Sequence, residues 1–288
     1  GERNETARRW LGRRAATGRW VMKWAERLKT RTQQNNQVSY KATLLYHNWL
    51  KDRIANNVPF NQIVQELLSS TGGTFKSPAT NYYQIERDTL KVSENVAQVF
   101  MGMRIQCAQC HKHPFDQWTQ QDFKKFQAFF EPIQYKANTP KGEKGDNYQS
   151  LMKELEQFVG YDKEKKNNKK ELRAEIKRRA HDGQPVPWQE LYIANTKAKP
   201  SRKKSNNKKK RYSGRVITPS VLGGEDVHLT DYHDPRQPLM DWLRSDDNPY
   251  FARAFINRVW HNYFGHGIVD PVDDMNLANP PSNAPLLD

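Results

Sequence analysis

Asn95-Val-Ala-Gln-Val-Phe-Met-Gly-Met-Arg-Ile-Gln-Cys-Ala-Gln-Cys-His-Lys-His-Pro-Phe-Asp-Gln-Trp-Thr119 is the stretch on which the reading of this chain turns. Its first half sets Val96, Val99, Phe100 and Met103 at helical spacing with Val92 upstream, which predicts a helix over 89–104. Its second half holds Cys107 and Cys110, the only two cysteines among 288 residues, followed at once by His111. A Cys-x-x-Cys-His run is the attachment pattern of c-type haem. Two thiols add to the porphyrin vinyl groups, and the adjoining imidazole ligates the iron from one face. At roughly 5% frequency per residue, chance produces the pattern about once in 8,000 positions, a poor account of two cysteines that both fall inside it. The motif is expected to continue the 89–104 helix, with Cys107, Cys110 and His111 facing the cofactor and His111 as the iron ligand.

The sequence on either side reads as helix. Trp20, Trp24 and Leu28 recur at i, i+4 and i+8 in a helix over 19–31. A second helix over 39–55 carries Leu45, Trp49, Leu50 and Ile54. A third follows Pro59 through Ile63, Val64, Leu67 and Leu68, and stops at Ser69-Ser-Thr-Gly-Gly73. Beyond the motif, His113-Pro-Phe-Asp116 reads as a turn. Thr119 with Asp122 then forms a capping box, and Trp118 with Phe123 a hydrophobic staple, opening a helix lined by Phe123, Phe126 and Phe130. Residues 20–135 therefore read as one small helical domain, preceded by an unassigned basic segment, 1–19. Residues 136–215 read as a Lys-rich insertion with helical stretches over 151–159 and 171–180. A second helical module starts near Val216 and runs to 288, with helices over 235–244 and 249–264. Phe251, Phe255, Val259 and Tyr263 form one side of the latter, and Gly265 is its stop. Ser282 is a candidate N-cap for a helix that the end of the chain cuts short, so the sequence reads as a fragment whose second module is truncated. No segment alternates long enough for a confident strand. The fold class is mainly α.

The net charge of +15 is concentrated in two places. Residues 162–211 hold 18 Lys/Arg against 6 Asp/Glu, and residues 1–31 hold 10 against 3, so the remainder is mildly acidic. The Lys/Asn-rich run has few interleaved aromatics and no docking element. It reads as a solvated insertion, without specific nucleic-acid recognition. Mean hydropathy is −0.99, and no run of about 18 apolar residues is present to span a bilayer.

Other site chemistries share the same residues. Cys107, Cys110, His111 and His113 have zinc-donor types, but four ligands within seven residues make a cramped tetrahedron, so such a site would recruit His47 or Asp116. A Cys-x-x-Cys dithiol is also a thioredoxin-like redox motif, but that requires a βαβ setting this pattern lacks. His113 with Asp116 is either an acid–base pair or a hydrogen-bonded turn. Asp270, Asp273, Asp274 and Asn276 offer hard oxygens without EF-hand spacing, and read as a capped loop. Trp242, Tyr250, Trp260 and Phe264 read as core aromatics. A second axial ligand to a haem iron would come from Met152, Met240, Met275, His47, His181, His228, His233, His261 or His266, or from another domain, or the iron would be five-coordinate. His113 is adjacent to the motif but short of the opposite face. No nucleophile motif, phosphate loop or metal-hydrolase helix is present.

The 95–119 run resembles the second planctomycete cytochrome-like module, catalogued as a domain of unknown function (1549), over roughly residues 20–130. Asp247-Asn-Pro-Tyr-Phe-Ala-Arg-Ala-Phe-Ile-Asn-Arg-Val-Trp260 and Gly265-His-Gly-Ile-Val-Asp-Pro-Val-Asp-Asp274 resemble the module that usually follows it (1553), over 234–288. The resemblance implies an exported protein of the periplasm or cell envelope, often carrying further cytochrome-like or adhesion-like domains, with haem c at Cys107, Cys110 and His111. The Lys-rich insertion departs from the pattern, and so does the early end of the second module. The expected function is electron transfer or a redox step with a partner protein or further domains of the same polypeptide. The alternative is a non-redox envelope scaffold in which the motif is a disulfide or zinc staple. A third possibility, an enzyme acting on envelope polymers, finds no catalytic set here.

Overall fold

A computed structural model describes residues 14–32, 36–136, 147–161, 168–188, 190–194 and 217–288. Most of the 1–19 segment, Val216 and much of the Lys-rich insertion lie outside them. The described residues form a mainly helical protein with eleven α-helices, 55% helix and 4% strand. The strands form one small sheet in the order Gly72–Gly73, Glu190–Ile193, Ile133–Lys136. Sequence alternation could not reveal strands of two to four residues. The chain divides into two compact units: Gly1–Arg87 with Tyr135–Tyr192, and Asp88–Gln134 with Ile193–Asp288.

In the first unit, helices Arg14–Arg27, Gln37–Ala55 and Phe60–Leu68 come together. Trp24, Leu28, Ile63, Val64, Leu67 and Leu68 are buried, as the periodicity predicts, and Trp24 meets Phe60 at 4.2 Å between ring centroids. The buried face of Gln37–Ala55 is Ala42, Tyr46 and Leu50, not the Leu45–Trp49 side. Tyr46 turns inward because its hydroxyl donates to the Leu28 carbonyl at 3.1 Å, so a polar tip is satisfied inside an apolar layer. Burial pushes the Tyr46 and Tyr82 phenols well above their ordinary value. The Asn168–His181 helix adds Ala180, packed with Val38 and Val186 under Phe75, Ile176 and Trp188.

The second unit is built around helix Thr89–Met101, opened by the Asp88 side chain accepting from Leu90 N–H at 2.9 Å. The helix does not run on to Arg104. Gly102 adopts φ +69° and ends it. A Cβ there would stand 3.1 Å from Met275 Sδ and 3.2 Å from Ala254 Cβ, so position 102 needs glycine for both its dihedral and its close neighbours. Helix Gln120–Gln127 opens with the expected capping box: Thr119 Oγ1 accepts from Asp122 N–H, and the Asp122 carboxylate accepts from Thr119 N–H. Trp118, Phe123, Phe126 and Phe130 are all buried.

The buried face of Phe251–Phe264 differs from the expected one. Ala254, Asn257 and Arg258 are buried, while Tyr263 and Phe264 are exposed. Arg258 Nη1 donates to the Val99 carbonyl at 2.7 Å, and Nη2 donates to Gln98 O, so the guanidinium caps the end of helix Thr89–Met101. Asn257 donates to Val269 O at 2.8 Å and accepts from Val269 N–H at 3.0 Å. A periodicity count scores apolar residues only, and cannot see an inward face made by hydrogen bonding. The last helix, Ala284–Leu287, is capped by Asn283, not Ser282, whose hydroxyl donates to Ile268 O.

Replacing Arg258 with Met strands two helix-end carbonyls in the interior. We expect Arg258→Met to lose roughly 2–4 kcal/mol in urea unfolding, the scale of buried groups left without partners. A loss within ±0.5 kcal/mol would contradict this account.

Asp273 accepts from Gln98 and from Arg104 at 2.7 Å. Burial alone would raise its carboxyl. The bonds from Gln98 and Arg104, with the charges of Arg104 and Arg258, outweigh burial and hold it below its ordinary value. A depressed carboxylate stabilises the fold above the unfolded-state pKa, about 3.9, and that gain disappears as pH falls through the lower folded value. The stability advantage of wild type over Asp273→Asn should therefore shrink between pH 7 and pH 3. Melting curves that stay parallel across that range would refute the role.

Candidate functional site

Past Gly102, Cys107 sits on a separate short 3-10 turn, Gln106–Gln109, with Cys110 as its C-cap, and not on a continued helix. Ile105 and Ala108 are fully buried and anchor the turn from below. Cys107 and Cys110 are exposed on its other side, both unpaired. Three further contacts hold the turn. The Gln109 side chain donates to the buried Glu94 carboxylate, which Lys91 partners at 2.9 Å. Gln120 Nε2 donates to the Gln109 carbonyl at 2.9 Å and the Cys110 carbonyl at 3.3 Å. His111 N–H closes on Cys107 O at 3.3 Å. The thiols are thus displayed by a fixed backbone.

The two histidines differ in what they can do. His111 is exposed, and its Nδ1 lies 2.7 Å from the Lys112 carbonyl. A carbonyl only accepts, so Nδ1 carries the proton and the Nε2 lone pair is left to face a ligand. This is the arrangement by which metal-binding imidazoles are oriented through their other nitrogen. His113 is 7% exposed and is used by the fold. Its Nε2 donates to the Arg104 carbonyl at 2.9 Å, its Nδ1 accepts from Phe115 N–H at 3.3 Å, and its backbone N–H reaches Trp118 O at 2.8 Å. The hydrogen-bonded turn is what His113 makes. Asp116 caps Gln117 N–H at 2.8 Å instead of pairing with His113.

The loop that follows forms one wall of an open cleft of about 720 Å³, lined by residues 112–117 and by Leu277 and Ala278. Among the described residues, no group of three or more His, Cys, Asp or Glu side chains is placed to hold a metal ion, so a zinc staple finds no closed donor set there. The acidic 270–276 segment is a hydrogen-bonded loop. Asp273 takes Gln98 and Arg104, and Asp274 takes Asn276 at 3.0 Å. Met275 packs beside Gly102, Met240 is buried, and His228 and His233 are exposed. His266 Nδ1 is 3.6 Å from Asp270, and His261 is half-buried. Met152, His47 and His181 belong to the other unit. Sequence reasoning missed Glu94, Gln109 and Gln120. The only prior signal was their polarity beside the motif, which does not distinguish a clamp from a solvated side chain.

Fold and site together define a helical protein that displays two free thiols and an imidazole on one clamped turn. Residues 2–135 match PSCyt2, a protein of unknown function (DUF1549), and residues 235–288 match PSD1, a protein of unknown function (DUF1553). The first of these segments is of the planctomycete cytochrome-like family, and the PSD1 segment follows it along the chain. No curated protein and no solved structure matches it.

Removing the His113 ring leaves the Arg104 carbonyl and Phe115 N–H without their partner. His113→Ala should cost about 1–3 kcal/mol in thermal or urea unfolding. His111→Ala, at an exposed position, should stay within ±0.5 kcal/mol. Equal losses for the two would contradict the division of roles.

Proposed function

We propose that this chain is an exported c-type-haem protein serving electron transfer or a redox step. The observation that carries the reading is the turn itself: two exposed, unpaired thiols beside an imidazole whose Nδ1 is tied to Lys112 O. Cys107 and Cys110 would hold the porphyrin. Each thiol would be held as a thioether, its S–H having added across a vinyl C=C bond with nothing released. His111 Nε2 would ligate the iron, its ring direction fixed by the Nδ1–H bond. His113 would hold the loop and not the metal. When bound, haem supplies a one-electron iron couple, whose potential the surrounding protein sets through ligation, hydrogen bonding and burial. The chain's own part is to display the thiols, orient the imidazole and wall the site.

Attachment of haem outside the cytoplasm accords with export to the periplasm or cell envelope, as the family resemblance implies. The electron would pass to a partner protein or to further domains of the same polypeptide. The envelope-scaffold alternative predicts a different product from the same turn.

The experiment is expression in a host competent for cytochrome c maturation, followed by absorption spectroscopy and denatured mass. The expected result is a Soret band with a mass increment of one haem. Cys107→Ser with Cys110→Ser should abolish the increment, while His111→Ala should keep the mass and alter the spectrum. A colourless protein lighter by two hydrogens would support a disulfide staple instead, and stoichiometric zinc a metal staple. Either would overturn the haem reading.

A further inference from the structure

Helix Asn168–His181, in the first unit, carries six Lys/Arg against two Glu. Its inner side is anchored by buried Leu172 and by Ala180, which packs with Val38 and Val186. The acids of this region are engaged on one flank. Glu175 takes Arg178 at 2.7 Å and Arg179 at 3.1 Å, Glu154 takes Arg179 at 2.7 Å, and Asp182 takes Arg178 at 3.3 Å. Glu171 falls on that same flank, four residues before Glu175. On the outer side Lys169, Lys170, Arg173 and Lys177 are exposed, and none of the four has an acidic partner among the described residues.

Lys170, Arg173 and Lys177 recur at i, i+3 and i+7, so they form one line along about 10 Å of helix. Lys41, from helix Gln37–Ala55, adds a positive charge at the end of the helix, where its Nζ donates to the His181 carbonyl at 3.2 Å. Like charges four residues apart, as in Lys169–Arg173 and Arg173–Lys177, disfavour a helix. The fold pairs its cations on one flank and leaves them mutually repelling on the other. A row of cations held in that state is complementary to a row of anions.

We propose that this helix face is a docking strip for an extended acidic polysaccharide, whose repeated carboxylates lie along Lys170, Arg173 and Lys177. From the function proposed above the inference takes export alone, because it places the chain outside the cytoplasm, among envelope polymers. The makeup of the face argues against other anionic partners. A helix that settles on anionic lipid also inserts large apolar side chains. Ala174 is the only exposed apolar residue of this helix, and exposed Phe158 lies 5.3 Å from the Arg179 guanidinium, on the paired flank. Single-stranded nucleic acid requires rings on which bases stack, and this face has none. Interfaces with folded proteins centre on a buried apolar and aromatic patch from which lysine is depleted. Ammonium groups, compact and strongly hydrated, suit a hydrophilic chain that carries spaced charges.

The test is titration of the full chain, in haem-bearing and haem-free preparations, with sodium alginate, a linear polyuronate, at low salt. Wild type should bind it, ignore neutral dextran, and release alginate near 1 M salt, where screening acts within about 3 Å. The triple variant Lys170→Gln, Arg173→Gln, Lys177→Gln should bind about tenfold more weakly, the scale of three exposed ion pairs lost together. Its melting midpoint should not fall, because the substitutions relieve repulsion at exposed sites. A charge-matched control, Lys208→Gln, Lys209→Gln, Lys210→Gln, should keep most of the wild-type affinity. Equal losses in the two triple variants would overturn the proposal, since net charge alone would then account for binding. Tighter binding to anionic phospholipid vesicles or to duplex DNA than to alginate would overturn it too. Fractionation of the native cells reads export separately, and a chain confined to the cytoplasm would remove the polymer as its partner. A Soret band without alginate binding would strike this inference and keep the haem reading, and alginate binding without a Soret band would do the reverse.

Discussion

A helix end that has to be capped from elsewhere in the chain governs this structure. The last four carbonyls of helix Thr89–Met101 have no partner within the helix. Backbone N–H groups of Gly102 and Met103 take the carbonyl of Ala97, and the Arg258 guanidinium takes those of Gln98 and Val99. A permanently charged, planar group with several donors is suited to this, and a cation at a helix C-terminus also meets the negative end of the helix dipole. The same helix carries Glu94, which clamps the cysteine turn, and Gln98, which donates to Asp273. The backbone that presents the thiols is therefore fixed by a residue about 150 positions further along the chain.

That constraint changes how the two family segments relate. Matched separately, 2–135 and 235–288 look like successive modules on a string. In the structure, residues 88–134 share a compact unit with the whole of 235–288. Arg258, Asp273 and Met275 each bond to the stretch from Gln98 to Arg104. The acidic loop at 270–276 is consequently part of the support beneath the motif, and its Asp273 and Asp274 carboxylates are occupied by Gln98, Arg104 and Asn276.

Much of this was legible in the sequence wherever a local rule governs. The capping box at Thr119 and Asp122, the stop at Gly265, the buried Trp24–Leu28 stripe and the phenylalanine face at 123–130 follow from spacing and cap chemistry alone. Reading failed where tertiary hydrogen bonds decide. Tyr46 replaces Trp49 on the inner face because of one bond to Leu28 O. Arg258 and Asn257 outrank Phe255 and Tyr263 because carbonyls elsewhere need donors. Gly102 was visible as a residue, but apolar periodicity carried the helix past it, so the motif was placed on a helix when it occupies a turn of its own. The Cys107, Cys110 and His111 run stands out from spelling alone, and the structure leaves all three side chains exposed. The clamp formed by Glu94, Gln109 and Gln120 was not, because nothing in a lone sequence says which glutamine points where.

The two variable letters inside Cys-Ala-Gln-Cys are not wildcards in this protein. Ala108 has no exposed surface, so a longer side chain has nowhere to go without lifting the backbone that bears both sulfurs. Gln109 delivers an amide to the Glu94 carboxylate, which an apolar or acidic replacement would abandon or repel. Relatives that share this scaffold should therefore spell the interior of the motif with a small residue followed by a hydrogen-bond donor. Departures from that spelling would mark chains in which the turn is fastened by a different neighbour.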